Sequence, residues 1–168
     1  KYLFEISDSL IGKEIMTITR YSKTPAGGGI FGGEEINRQV IRWEIGPNDN
    51  IFMRSITFVV MSPDSTKPMA QAVKNSSADP IVAAFEIKAY GKDSTSSIID
   101  VSDFFKGDNQ AVSLSSFEKR NFNLSGLASD RSYIESIKSY PINLEVRTVK
   151  TYNASAPMPG SPAGGSFI

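Results

Sequence analysis

The segment from Val40 to Met61 constrains the fold most, because it joins two strand-like runs through a strong turn signal. Over residues 40–45 every second side chain is Ile or Trp, which is the two-residue period of a strand with one buried face. The run GPNDN at residues 46–50 is rich in turn-forming residues, and residues 51–61 again have the composition of a strand. The sequence therefore predicts an antiparallel hairpin over this segment.

Strand patterns dominate the rest of the chain as well. Further strands are predicted at Tyr2–Ile6, Ile15–Tyr21, Ile81–Tyr90, Ser96–Val101 and Leu144–Tyr152. These runs are amphipathic and not continuously apolar, which favours antiparallel sheets with one buried face over a doubly wound parallel sheet. The predicted fold is mainly β, with antiparallel sheets that are sandwich-like or curved, and with two or three short helices.

Helical signals are short. Asp103–Lys106 is predicted to form one helical turn after an N-cap at Ser102. Pro68–Asn75 is a second candidate for a short helix. Asp130–Tyr140 has apolar residues at helical spacing and is predicted to be a helix, with a strand as the alternative. Leu114–Leu124 is predicted to be extended.

Length and composition indicate one domain of ordinary size. The chain has 168 residues, and we predict a single β-rich domain over residues 1–152, followed by a Pro/Gly-rich linker and the start of a further segment over residues 153–168. Lys plus Arg and Asp plus Glu number 18 each. A balanced charge without basic clusters argues against a nucleic-acid partner. No apolar run approaches the roughly 18 residues of a transmembrane helix.

The chain contains no His and no Cys, which excludes several kinds of catalytic site. Neither a His-dominated zinc site nor a Cys/His structural zinc site can form. A Ser-His-Asp triad and a Cys nucleophile are excluded too. Asp100, Asp103 and Asp108 could form a weak calcium site, but capping or solvation explains them better. We therefore predict no catalytic residue, no metal ligand and no cofactor in this chain.

A glycine-rich loop spans residues 25–33, PAGGGIFGG. It matches the dinucleotide motif G-x-G-x-x-G by letter, but the residues after it alternate like a strand, and that motif needs a helix there. A turn or wide hairpin loop is the better interpretation. Its apolar tip could also dock on a neighbouring domain, which makes Gly28, Gly29, Ile30 and Phe31 candidate interdomain contacts.

Trp43 is the other candidate site residue. With Arg42 and Arg54 nearby in the predicted hairpin, its ring could form a stacking platform for a sugar or a peptide. Large aromatic side chains more often anchor the core, and we favour that interpretation. The platform would suit a different function for the chain, a stand-alone β-sandwich module that binds glycan or peptide. An enzyme that uses carboxylates alone has no support in the spacing of Asp and Glu.

Four segments together resemble one known family. They are YLFEISDSLIGKEIMTITRYSKTPAG at residues 2–27, NRQVIRWE at residues 37–44, AVKNSSADPIVAAFEIKAY at residues 72–90 and DRSYIESIKSYPINLEVRTVKTY at residues 130–152. In this order they resemble the uncharacterised domain of unknown function that precedes the catalytic domain in secreted zinc-dependent metalloproteases of Gram-negative bacteria.

The resemblance implies a non-catalytic accessory domain of an exported bacterial zinc-dependent metalloprotease. Such a protein would be periplasmic, outer-membrane-attached or secreted. The implied partner is the catalytic domain of the same polypeptide, with a protein or peptide substrate as a further contact. Zinc would be bound by the HExxH helix of that catalytic domain, and this chain has no counterpart of those ligands.

Overall fold

The computed structural model describes residues 1–24, 30–56, 78–154 and 166–167. The prediction of a mainly β fold with antiparallel sheets and short helices is confirmed. The strands are β1 Leu3–Ser7, β2 Glu14–Arg20, β3 Glu35–Gly46, β4 Asn50–Ile56, β5 Ile81–Tyr90, β6 Ser96–Asp100, β7 Leu124–Leu127, β8 Tyr133–Ser139, β9 Leu144–Val149, β10 Tyr152–Ala154 and β11 Ser166–Phe167. Within the described residues, the α-helices are α1 Ser102–Lys106 and α2 Ser116–Asn121, and 3-10 turns cover Asp8–Leu10 and Ser129–Arg131.

Three sheets account for the described strands. The largest has six strands in the order β1-β6-β5-β4-β3-β2 and is curled. A second sheet has the order β11-β10-β7, and β8 and β9 form a two-stranded sheet. The strand pairs β1–β6, β3–β4, β4–β5, β5–β6, β7–β10, β8–β9 and β10–β11 are antiparallel, as the amphipathic pattern of the strands predicts.

The hairpin predicted from the sequence is present as β3 and β4. Trp43 lies opposite Met53, and Gly46 lies opposite Asn50 where the turn begins. Asn48 and Asp49 have φ angles of 56° and 53°, in the left-handed region that Asn and Asp tolerate better than most residues. The part of the predicted hairpin beyond residue 56 lies outside the described residues.

Two compact units can be distinguished within the chain. Unit 1 comprises residues 1–2, 18–38 and 101–168, and unit 2 comprises residues 3–17 and 39–100. The prediction of a single domain over residues 1–152 stays a prediction. Asn153 and Ala154, which the sequence assigned to a linker, lie in β10, and the start of the further segment contains β11.

The apolar core of unit 2 lies on one face of the large sheet. Register places Ile51 of β4 opposite Phe85 of β5, and the ring of Phe85 lies 5.7 Å from the ring of Trp43. The buried apolar side chains of this unit are Ile6, Ile41, Trp43, Ile51, Met53, Phe85 and Ile99. They belong to β1, β3, β4, β5 and β6, so the core joins five of the six strands.

The helix predicted over Asp130–Tyr140 is wrong, because most of this segment forms strand β8. The strand pairs with β9, with Ile137 opposite Val146, and a register shift between Ile134 and Ser136 marks a β-bulge. A bulge adds one residue to one strand, which breaks the two-residue alternation that a strand prediction depends on. The alternative prediction for this segment, a strand, is confirmed.

The extended segment predicted over Leu114–Leu124 is also wrong, since residues 116–121 form α2. Its N-cap is Ser115, whose hydroxyl oxygen accepts a hydrogen bond from the amide of Glu118 while the Glu118 carboxylate accepts one from the amide of Ser115. This reciprocal capping box satisfies amides that the first helical turn leaves without partners.

Smaller differences concern element ends. Helix α1 forms as predicted, but its N-cap is Val101 and makes no side-chain hydrogen bond. The hydroxyl oxygen of Ser102 instead accepts a hydrogen bond from the amide of Tyr2 at 2.7 Å. The single strand predicted over Leu144–Tyr152 is divided between β9 and β10. The helix predicted at Pro68–Asn75 lies outside the described residues.

Candidate functional site

The glycine-rich loop is described only in part, since Gly28 and Gly29 lie outside the described residues. Ile30 is half-buried, and its carbonyl oxygen accepts a hydrogen bond from the hydroxyl of Thr24 at 2.7 Å. The amide of Phe31 donates to the carboxylate of Glu34 at 2.8 Å, and the Phe31 side chain is 73% exposed. The described part of the loop thus holds an exposed aromatic ring on a hydrogen-bonded turn.

A β-bulge closes the base of this loop. The amide of Tyr21 donates to the carbonyl of Glu34, and the amide of Gly33 donates to the carbonyl of Tyr21. Two residues therefore oppose one, and the first of them, Gly33, has a φ of 96°. A side chain is strained at that angle, which explains why glycine suits this position. No helix starts after the loop, because β3 begins at Glu35, so the geometry of a dinucleotide site is absent from this part of the chain.

Trp43 lies in the core of unit 2. Its side chain is 5% exposed and packs on Phe85, so no ring face is open to a sugar or a peptide. The core interpretation is the one that this burial supports, and the ligand-platform interpretation has no geometric support. The only tryptophan of the chain thus stabilises the sheet by removing apolar surface from water.

Arg42 and Arg54, the two arginines near Trp43 in the predicted hairpin, belong to an ion network. Arg42 donates to Glu44 and to Asp79, and Arg54 donates to Glu44 and to the carbonyl oxygen of Asp79. The four charged side chains are about a quarter to a third exposed. Partial burial raises the pKa of Glu44, but the hydrogen bonds and charges of Arg54 and Arg42 outweigh it and lower the pKa below the ordinary value. The two guanidinium groups are therefore already engaged with carboxylates.

Carboxylates do not gather into a metal site in the described part of the chain. Within those residues no group of three or more Asp or Glu side chains could hold a metal ion. Asp108, one of the three candidates for calcium, is instead paired with Lys119 at 2.7 Å and accepts a hydrogen bond from the hydroxyl of Tyr152 at 3.1 Å. The adjacent pair Glu34 and Glu35 also divides: Glu35 accepts from Arg38, while Glu34 caps the turn at Phe31.

A polar cluster that surrounds Asp108 in unit 1 was not predicted from the sequence. Lys150, in the short connection between β9 and β10, donates to the carbonyl of Gly107 at 2.5 Å and to the hydroxyl oxygen of Ser113 at 2.7 Å. The ammonium group of Lys119 also lies 5.5 Å from the ring centre of Tyr152. Two lysines, a tyrosine and one carboxylate therefore meet at the loop after α1. We call Asp108, Ser113, Lys119, Lys150 and Tyr152 the Asp108 cluster.

Burial shifts the protonation of this cluster. Desolvation lowers the pKa of Lys150 to about 8; Asp108 acts in the opposite direction, and the charge of Lys119 adds to the lowering. The pKa of the Tyr152 hydroxyl is raised by burial and by the charge of Asp108. Tyr21, which donates to Glu118 of α2 at 3.1 Å, also has a raised pKa because of burial and the charge of Glu118.

A lysine beside a serine is an arrangement that can activate the serine as a nucleophile. Ser113, however, is 3% exposed, and its oxygen also accepts a hydrogen bond from the amide of Asn109 at 3.2 Å. A substrate would have to displace packed residues to reach it. The geometry therefore indicates that Lys150 and Ser113 fix the loop at residues 107–113.

These features define a class: a mainly β domain with an apolar sheet core, a hydrogen-bonded polar interior and an exposed aromatic ring beside a glycine-rich loop. A family model described as domain of unknown function (DUF5117) matches residues 33–166, and the chain belongs to that family. No curated protein and no solved structure matches the chain. No helix in the described residues is long and apolar enough to cross a membrane.

Proposed function

We propose that this chain is a non-catalytic accessory domain of an exported bacterial zinc-dependent metalloprotease. The observation that carries the proposal is the resemblance of four segments, spread over residues 2–152, to the domain that precedes the catalytic domain in such proteases. The match of residues 33–166 to the model of an uncharacterised domain family supports the part of the proposal that makes this chain a recurring domain. The zinc ion and the catalytic groups would belong to the following domain, because this chain has no His and no Cys.

The proposed role is structural. The chain would pack against the catalytic domain and shape one wall of its substrate cleft, with a protein or peptide substrate as a second contact. Phe31 supports this role, because a large aromatic side chain that is 73% exposed on a hydrogen-bonded turn is a suitable anchor for a neighbouring surface. Gly28, Gly29 and Ile30 would line the same contact, and export to the periplasm, the outer membrane or the medium is part of the proposal.

The first test compares the full polypeptide with a form that lacks residues 1–168. Zinc-dependent cleavage is measured on a short peptide and on a denatured protein, after circular dichroism has shown that both forms are folded. Retained peptide cleavage with lost protein cleavage supports a role in handling substrate. Loss of both activities, or an insoluble truncated form, supports a role in packing the catalytic domain.

A point variant tests the contact itself. In the full polypeptide, Phe31→Asp is expected to lower cleavage of the denatured protein, because a carboxylate would be buried in the interface. Tyr90→Asp is the matched control, since Tyr90 is an exposed aromatic residue outside the proposed contact. Equal activity of the two variants would contradict the contact. A reading frame with no HExxH-containing domain after this chain would overturn the proposed function.

A further inference from the structure

Strand β2 is an outer strand of the six-stranded sheet, with no described strand beyond it. Its residues alternate between exposed and half-buried side chains, so that Glu14, Met16, Ile18 and Arg20 share the exposed face. Met16 is 62% exposed and Ile18 is 40% exposed. Apolar side chains along an open strand edge favour pairing with a further strand, which most proteins prevent with charged or bulged edges.

The backbone of β2 is aligned for such pairing. Tyr21, which directly follows β2, directs both its amide and its carbonyl toward the residues just before β3, through the hydrogen bonds to Glu34 and from Gly33. Because backbone groups alternate in direction along a strand, the odd-numbered residues of β2 bond to β3. The even-numbered residues 14, 16, 18 and 20 then direct their amides and carbonyls toward the outer edge.

The side chains of β2 are complementary to those of a second copy of β2 in the antiparallel orientation. An antiparallel pair centred on Thr17 places Glu14 opposite Arg20 and Met16 opposite Ile18. Residues that lie directly opposite each other in an antiparallel pair point to the same face, so both contacts form on the exposed face. A two-fold axis repeats each contact, as it does in any interface between identical surfaces.

Positive charge exceeds negative charge around Arg20, so a further carboxylate would be attracted there. The guanidinium of Arg20 donates to the carbonyl of Gly33 and contacts Glu35 at 3.4 Å, and Arg38 donates to Glu35 at 2.7 Å. Two cations therefore share one carboxylate. Glu14 from an antiparallel partner would bring the second carboxylate to this group, and opposite charges on paired strands stabilise the pairing.

We propose that β2 pairs antiparallel with β2 of a second copy of this chain, across a two-fold axis through Thr17. The four outward-facing residues of each strand then form backbone hydrogen bonds with the partner copy. Main-chain bonds supply affinity in this kind of strand addition, and the Glu14–Arg20 and Met16–Ile18 contacts set its register. The proposal is independent of the proposed protease function.

Sedimentation velocity on the 168-residue chain tests for association, over chain concentrations from about 1 μM to about 1 mM, which covers weak and moderate dimers. Hydrogen exchange measured by NMR tests the geometry. The amides of residues 14, 16, 18 and 20 are expected to become protected as concentration rises, while those of residues 15, 17 and 19 remain protected throughout. A monomer at all concentrations, or a dimer without new protection at residues 16 and 18, would overturn the proposal.

Charge reversal tests the register. Glu14→Arg alone and Arg20→Glu alone are each expected to weaken dimerisation about tenfold or more, since each opposes like charges twice per dimer. The double variant restores opposite charges and is expected to recover most of the affinity. Lys92→Glu, a charge reversal on the exposed turn between β5 and β6, is the matched control and should not change it. Failure of the double variant to recover affinity would reject this register.

A backbone variant keeps the test valid if charge reversal disturbs folding. Ile18→Pro removes one outward amide, and proline is tolerated on an edge strand whose amide does not bond to a neighbour. The variant is expected to keep its circular dichroism spectrum and to stay monomeric. Binding of an unrelated extended peptide to the wild-type edge, without self-association, would assign the edge to a peptide partner and reject the dimer.

Discussion

The interiors of the two units differ in how much charge they contain. In unit 2 the centre of the sheet is apolar, and Trp43 packs on Phe85 there. Unit 1 also buries apolar side chains, but it contains in addition the Asp108 cluster, in which Lys119 pairs with Asp108 and Lys150 is largely buried. The stabilisation from apolar burial does not depend on protonation. A buried charge, in contrast, destabilises the fold when its partner is removed. The two units should therefore respond differently to mutation and to pH.

The largest effect is expected from Trp43→Ala. Removing a 5%-exposed indole leaves a cavity beside Phe85, and truncations of this kind cost about 3–5 kcal/mol of unfolding free energy. Urea unfolding followed by far-ultraviolet circular dichroism measures the loss. Phe31→Ala removes an exposed aromatic ring and should change stability by less than about 0.5 kcal/mol. Similar losses in the two variants would contradict the apolar core of unit 2.

Asp108→Ala should have the next largest effect. It removes the acceptor of both Lys119 and Tyr152 and the nearest negative charge to Lys150. We expect a loss of about 2 kcal/mol, below the range for a fully buried pair because the Asp108 side chain is a quarter exposed. Asp93→Ala, on the exposed turn before β6, is the control for removing one carboxylate. Equal stability of the two variants would show that Asp108 does not balance the buried charge.

The pH dependence of unit 1 has a definite sign. The pKa of Lys150 in the folded chain is about 8, below its ordinary value of 10.5, so folding is opposed while this amine is charged. Wild-type stability relative to Lys150→Met should therefore rise as pH increases from about 8 to about 10, by up to roughly 2 kcal/mol. At each pH the unfolding free energy of Lys150→Met is subtracted from that of the wild type. The contributions of the other titrating groups, which both proteins share, then cancel.

Two controls define this pH experiment. Lys92→Met removes an exposed lysine and should show no change in its difference from wild type over the same pH interval. Measurements stop at pH 10, because the pKa values of Tyr21 and Tyr152 are raised in the folded chain. Above that pH the unfolded tyrosines lose their protons first, and the folded state is destabilised for a reason unrelated to Lys150. A flat difference between wild type and Lys150→Met would show that Lys150 is not desolvated.

The smallest effect is expected from Glu44→Gln, in the ion network of unit 2. The network is partly exposed, and such pairs contribute about 0.5–1 kcal/mol. Because the folded-state pKa of Glu44 is lowered, its contribution is present above its ordinary pKa of 4.5 and disappears as pH falls through the folded-state value. Urea unfolding at pH 7 and pH 3, with Glu86→Gln as the exposed control, measures this. A loss of the same size at both pH values would point to packing and not to charge.

The two units also differ in how well the sequence predicts their strands. The β3–β4 hairpin was predictable because its two signals are local: alternation over residues 40–45 and a turn that tolerates left-handed residues. Strand β8 was assigned to a helix because its bulge disturbs the alternation, even though its partner β9 begins only a few residues later, at Leu144. Local propensity was overridden there by pairing between strands.

Helix α2 was predictable in principle. Ser115 and Glu118 have the spacing of a capping box, but the poor apolar pattern that follows concealed the signal. The Asp108 cluster was not predictable, since it joins residue 108 to residues 113, 119, 150 and 152 through the fold alone. Phe31 was proposed from the sequence as a contact residue; its exposure agrees with that role, and the contact itself stays a prediction.

The position of Trp43 has a spectroscopic consequence. It is the sole tryptophan of the chain, and it lies in the core of unit 2. Its fluorescence therefore reports on that unit alone, while circular dichroism reports on the backbone of both. Coincident transitions by the two probes would mean that the units unfold as one cooperative system, and separated transitions would mean that each unfolds on its own. The chain thus carries an intrinsic label that can count its folding units without any added dye.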